Sequence, residues 1–247
     1  MEIKFKLIIK AEKLSENIFS DFLEKAMTGV LGLSKYDYKE PLKRQLDIDN
    51  INEAKQLFDY YGNIIFKGKN KSWITIDSYK EGIGWLSGSL TISKNIVNIV
   101  DHLKLFLESY NNNQIIYGKI CTESEYNLKH KVITEWAYGW EGTSINSFMK
   151  FLPGIYWYTI FGKELVESIG KDKFKNLPNV IYTEPKNGCV AFHLDEPIDS
   201  EDLETRITKE KEIAKIIGQN YFFDRDSDIE SFSHPKQFLD FLKSLEK

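Results

Sequence analysis

The 247-residue sequence predicts an α+β fold: a mainly antiparallel sheet, packed helices and a central strand near 154–161. Three observations carry this expectation. Strand-like and helix-like periodicities are mixed along the chain without a strict βαβ rhythm, which argues against a doubly wound parallel sheet. The stretch "NVIYTEPKNGCVAFHL" (179–194) joins two β-rich runs around Asn187-Gly188, the dipeptide suited to a tight hairpin turn. The stretch "FLPGIYWYTIFG" (151–162) is the densest apolar and aromatic run in the chain, and it is apolar on both faces, as a strand covered on both sides must be.

The elements follow in order. "IKFKLIIK" (3–10) alternates as a strand. In "SENIFSDFLEKAMTGVLG" the residues Ile18, Phe19, Phe22, Leu23, Ala26, Met27 and Val30 share a helical face, with Ser15 as cap and Gly32 as stop. "SKYDYKEPLKRQ" reads as a loop, and "DNINEAKQLFDYYG" as a short helix ending at Gly62. Two strands come next, "NIIFKGKN" and "KSWITIDSYK", with a turn at Gly68 to Asn70. "IGWLSGSLTI" reads as a strand with a bulge at its glycines. Residues 94–110 form the clearest helix, with Ile96, Ile99, Val100, Leu103, Phe106, Leu107 and Tyr110 at helical spacing. "QIIYGKI" is a strand. "TESEYNLKH" is a short helix capped by Thr122, with Glu125 completing a capping box. "GKELVESIG" is a helix closed by Gly170. "DSEDLETRITKEKEIAKIIG" is a helix capped by Asp199 or Ser200, with acids in its first turn. "HPKQFLDFLKSLEK" is the last, with Phe238, Phe241, Leu242 and Leu245 on one face. The chain reads as a single domain over 1–247, with the polar stretch 111–114 as the place for a subdomain boundary.

Composition narrows the function classes. Hydrophobic residues make up 42% and charged residues 28%, as in ordinary globular proteins. Five Trp and sixteen Phe argue for a real core and against disorder. No apolar run reaches the roughly 20 residues of a membrane-spanning helix. The first residues lack a hydrophobic region and cleavage site of the secretory kind, and two cysteines make no disulfide framework, so cytoplasm is the expected location. Net charge is −4 but uneven. Residues 182–230 hold thirteen acids against six bases, a local −7, leaving +3 elsewhere. This argues against nucleic-acid binding by the C-terminal half and suits a basic protein partner.

Candidate chemistry is sparse. "GIGWLSGSL" has the wrong spacing for a phosphate-cradling loop, and strand rather than helix follows it. Cys189 and His193 share a strand face but stand about 13 Å apart at roughly 3.3 Å per residue, too far for a nucleophile and its base. His102, His130, His193 and His234 show no metal-ligand spacing. "DRDSDIE" (224–230) imitates the start of a calcium loop, but Ile229 stands where such a loop needs Gly and Pro235 where it needs a bidentate Glu. No cofactor or metal is therefore expected. Glu135 and Glu141 flank the "WAYGW" aromatics, where an acid next to Trp136 and Trp140 suits either acid–base work or a protein-binding surface.

The order Pro153-Gly154-Ile155-Tyr156-Trp157, then Phe161-Gly162, a short helix and Gly170, resembles the core signature of bacterial polymorphic-toxin or type VI immunity proteins. In those chains a Gly-bearing hairpin follows, here at Gly188, and then a helix ending in "LG-x-x-x-FF", here Ile217-Gly218 to Phe222-Phe223. The resemblance covers roughly residues 130–225, with Thr159 where the family form has Asn. It implies an immunity-protein-like α+β domain acting in the cytoplasm, with a cognate toxin as partner, and it brings no catalytic residues. The partner-binding candidates are the acids Asp199, Glu201, Asp202 and Glu204, joined by Trp136 and Trp140 as apolar anchors. The alternatives are an enzyme with a pocket lined by Trp136, Tyr138, Trp140 and Tyr156, and a regulatory binding module without a toxin partner.

Overall fold

The computed structural model describes residues 1–10, 23–29, 31–78, 83–92, 96–109, 115–133, 137–183, 187–224 and 235–245. The chain divides into two compact units, Met1–Ile120 and Cys121–Lys247. The fold is α+β with mainly antiparallel strand pairing.

In the first unit, β1 (Glu2–Lys10), β2 (Leu33–Asp37), β3 (Arg44–Gln45), β4 (Asn63–Gly68), β5 (Trp73–Ser78), β6 (Ile83–Thr91) and β7 (Ile115–Thr122, whose last two residues open the second unit) lie in the order β7-β1-β6-β5-β4-β2-β3. Alternation sets their faces: Ile64, Phe66, Ile74 and Ile76 are fully buried, while Lys67 and Trp73 between them face outward. The helices are α1 (Leu23–Thr28), α2 (Ile51–Tyr61), which ends at Gly62 as expected, and α3 (Ile96–Ser109). Most of the amphipathic run before Leu23 lies outside the described residues.

Two expectations for this unit are corrected. The segment read as a loop contains β2 and β3. Its charged edge residues hide the alternation, but Tyr36 is buried, and the buried carboxylate of Asp37 binds Arg44 at 2.9 Å and the backbone N–H groups of Tyr38 and Lys43. The glycines of β6 do not bulge it, since its register with β1 runs unbroken from Glu2↔Thr91 to Lys10↔Ile83. Gly88 serves close packing instead. A Cβ there would stand 2.5 Å from the Trp73 carbonyl oxygen and 2.6 Å from the Phe5 ring.

In the second unit, β11 (Val180–Thr183), β12 (Val190–Leu194) and β10 (Tyr158–Phe161) lie in the order β11-β12-β10, and β8 (Lys131–Ile133) pairs with β9 (Tyr138–Trp140). The hairpin between β11 and β12 is as expected, and Asn187 and Gly188 both take positive φ, 69° and 84°. The helices are α4 (Glu123–His130), α5 (Ile145–Phe148), α6 (Lys163–Ile169), α7 (Leu203–Ile217) and α8 (Lys236–Leu245).

The central strand is shorter than its apolar run. Every residue from Phe151 to Gly162 is buried, yet only 158–161 are strand. The chain from Pro153 to Trp157 is irregular and pinned by side chains. The Thr159 hydroxyl accepts from Tyr156 N–H at 3.0 Å and donates to the Tyr156 carbonyl at 3.2 Å. Here Thr159 supplies the local turn through a group that is both donor and acceptor.

Candidate functional site

The second unit is organised around buried charge. Arg206, on the inward face of α7, is wholly buried. Its Nε donates to Glu196 Oε1 at 2.8 Å and Nη1 to Glu125 Oε2 at 3.2 Å, while Nη2 donates to the carbonyls of Pro197 and Ile198. Lys209 holds the other oxygen of Glu196 at 3.1 Å and Asp195 at 2.9 Å. Trp157 ties the aromatic signature to this network. Its backbone N–H donates to Glu125 Oε1 at 3.2 Å, and its indole N–H to the Glu196 carbonyl at 2.8 Å. Buried ions are tolerated when paired and hydrogen-bonded in this way.

This arrangement corrects the expected capping box on α4. The Thr122 hydroxyl does accept from Glu125 N–H, at 3.1 Å. The Glu125 carboxylate is drawn inward to Arg206 and Trp157, because a wholly buried guanidinium demands a counter-ion more strongly than a helix end demands a cap.

On one side of the network the unit opens into a cleft with a cavity volume of 340 Å³. Helix α4 contributes Leu128, Lys129 and His130, the irregular stretch contributes Pro153 to Ile155, and the segment after α7 contributes Gln219, Phe222, Phe223 and Asp224. Glu204, Ile207, Lys211 and Ala214 come from one face of α7, at spacings of three and four. Glu210 stands where this face meets the buried one.

Two polar groups in the cleft are held by different means. His130 is buried; Nδ1 lies 2.7 Å from the Glu141 carbonyl, and Nε2 bonds the Tyr156 hydroxyl, which also lies 3.2 Å from the Pro153 carbonyl. Because a carbonyl only accepts, Nδ1 donates to Glu141, while the single hydroxyl proton of Tyr156 serves either the Pro153 carbonyl or Nε2. Glu210 is 3% exposed and is engaged by both Lys129 and Glu125. Lys129 Nζ approaches its Oε2 to 2.5 Å as an ion pair, while also serving Glu125 at 3.5 Å, the Ile155 carbonyl and the Tyr156 ring face. Burial pushes the Glu210 carboxyl well above its ordinary range; Lys129 pulls it down and Glu125 pushes it further up.

The residues singled out from sequence are placed as follows. Asp199, Glu201, Asp202 and Glu204 are all exposed. Asp202, rather than Asp199 or Ser200, caps α7: its carboxylate accepts from Thr205 N–H at 3.0 Å. The capping position is decided by where the chain turns into the helix. Glu204 lines the cleft. Trp140 is 45% exposed and donates through its indole N–H to Asn127 Oδ1. Trp136, Glu135 and His234 lie outside the described residues, as do Asp226 and Asp228 of the acidic stretch. Tyr156 is buried against His130, and neither it nor Trp140 is among the residues lining the cleft. Burial raises the Cys189 thiol above its ordinary pKa, the opposite of what a nucleophile needs. Among the described residues no group of His, Cys, Asp and Glu is arranged to hold a metal ion, and no helix is long and apolar enough to cross a membrane.

The cleft and the Arg206 network were not foreseen from the sequence. Glu125, Glu196 and Arg206 lie up to 81 positions apart. The one local hint was an Arg at an inward position of α7.

Comparison with protein-family models, with curated proteins and with solved structures finds no match.

Proposed function

We propose that the chain is a cytoplasmic immunity protein that binds a toxin and blocks it by protein–protein contact. The observation that carries this reading is the surface around the start of α7. Glu204 lines an apolar-walled cleft, and Asp199, Glu201 and Asp202 are exposed on the turn leading to it. Helix capping uses one of these carboxylates, Asp202; the other three remain available to steer a basic partner. Ile155, Ile207, Phe222 and Phe223 supply the apolar contact that charge alone does not. The segment that resembles the immunity-protein signature is buried, and its Pro153 to Ile155 part forms one wall of the cleft.

The test uses the product of the adjacent gene. Expressed alone it should arrest growth, and co-expression of this chain should restore it. The purified pair should form a complex, and a folded Glu201→Lys, Asp202→Lys variant should protect less well. Absence of both rescue and complex would overturn the reading.

A further inference from the structure

We propose that the turn between β4 and β5, in the first unit, binds single-stranded nucleic acid, with Lys67, Lys69 and Lys71 taking phosphates and Trp73 stacking on a base. This is a second binding activity, independent of the inhibitor reading above.

Three observations converge. The first is charge. The run Lys67-Gly68-Lys69-Asn70-Lys71-Ser72-Trp73 carries three lysines, and no Asp or Glu occurs between Asp59 and Asp77. All three lysines are exposed. Lys35 stands directly opposite Lys67 in the β2–β4 register, a like-charge pair that costs the sheet and that an anion relieves. Glu40 reaches Lys67 at 2.5 Å, but both side chains are more than half exposed, so the pair holds Lys67 weakly.

The second is the backbone. Ser72 N–H donates to the Lys69 carbonyl at 2.8 Å, closing a two-residue turn in which Asn70 and Lys71 both take positive φ, 55° and 53°. Turns of this kind favour Gly in the second place, because a side chain is strained there. Lys71 keeps a cation at the tip where the turn alone would favour Gly. The turn is also pinned from both sides. The buried Ser72 hydroxyl donates to the Leu31 carbonyl at 2.8 Å, and Thr91 N–H donates to the Asn70 carbonyl at 2.9 Å. The backbone that carries the charges is therefore already ordered, which lowers the cost of binding.

The third is Trp73. It stands opposite Lys67 in the β4–β5 register, so the two share one face, and it is 36% exposed. Lysines alone require only an anion, whereas an outward indole among them adds a surface on which a base stacks. Bases inside a duplex are already stacked, so the ligand that uses both features is a single strand. The acids that argue against nucleic acid, in 182–230, belong to the other unit.

The test adds the intact chain to a fluorescein-labelled oligothymidylate of about fifteen nucleotides and follows anisotropy across salt concentrations. The logarithm of affinity should fall with the logarithm of salt with a slope of about −2, from about −0.7 for each of three phosphate contacts. Trp73→Ala should weaken binding about tenfold with the slope unchanged, and Trp73→Phe should weaken it less. Lys69→Gln with Lys71→Gln should flatten the slope by about 1.4. Lys71→Gly separates binding from folding. It suits the turn better, so it should unfold thermally no earlier than wild type while its slope flattens by about 0.7. Phosphatidylserine vesicles and polyglutamate stand for a membrane and for an acidic protein surface. The proposal fails if the oligonucleotide does not bind at low salt, if either control binds more tightly than it does, if Trp73→Ala binds as wild type, or if folded Lys71→Gly keeps the full slope. Failure here leaves growth rescue and the inhibitor reading standing, and loss of that reading leaves oligonucleotide binding standing.

Discussion

Glu125 stands three residues after Thr122, where a capping-box glutamate belongs, and yet its carboxylate serves Arg206, 81 positions away. The consequence is measurable. Arg206→Met would leave the wholly buried Glu125 without its guanidinium, and breaking such a pair from one side costs about 3–5 kcal/mol. Trp157→Ala removes a 5%-exposed indole and should cost about 3–5 kcal/mol by cavity formation. Both changes act on Glu125 and Glu196, so chemical denaturation of the double variant should show less than the sum of the singles.

Glu210 makes a prediction in pH. Its carboxyl has an ordinary pKa of 4.5, and burial raises it well above that in the folded chain. The folded state therefore holds this proton more tightly than the unfolded state does. The stabilisation is complete below about pH 4.5 and is lost as pH rises through the raised value. Glu210→Gln keeps the shape and cannot ionise. Thermal unfolding between pH 4.5 and 8.5 should show the variant gaining on wild type as pH rises. A constant difference across that range would mean that Glu210 is ionised in the folded chain.

At the scale of elements, β6 shows how a glycine is misread when only its own strand is considered. Gly88 lies in unbroken register with both β1 and β5, opposite Phe5 and Ile74. Gly88→Ala should destabilise by about 1–3 kcal/mol, the usual range for overpacking, because the added methyl meets a backbone carbonyl that cannot rotate away. Urea unfolding of that variant checks it. Helix α7 carries a second lesson. Its buried face holds Arg206, Glu210, Ile213 and Ile217, so a helix that looks charged along its whole length uses two of its charges inside. Its cap, Asp202, keeps its carboxyl below the ordinary value through donation from the Thr205 hydroxyl and backbone N–H.

Over the whole molecule, charge is distributed by role. Of the acids in the −7 segment, Glu196 and Glu210 are engaged with Arg206, Lys209 and Lys129, while Asp199, Glu201 and Glu204 face outward. Only the outward set can act at a distance, and salt screens it over about 8 Å at physiological ionic strength. Association with a basic partner should therefore slow as salt rises, and Glu201→Lys with Asp202→Lys should flatten that dependence while changing dissociation less. Stopped-flow association from low to high salt checks this; equal slopes for wild type and variant would make the acidic surface a passive solvated face.

Local periodicity by itself determined much of the architecture. The β1 alternation, the stop of α2 at Gly62, the α3 and α8 stripes, the Asn187-Gly188 hairpin and the α+β class depend on neighbours within a few residues, and such patterns are written in the chain directly. The tertiary structure decided the rest. It set where the apolar run stops being strand, because Thr159 takes the backbone N–H of Tyr156 and Glu125 takes that of Trp157. It decided that Glu125 leaves its helix cap, that Gly88 is packed rather than bulged, and that Glu210 lines a cleft. Each of these depends on a partner brought near only by folding, since the energy of a buried charge or a close contact is set by surroundings that the order of residues does not display.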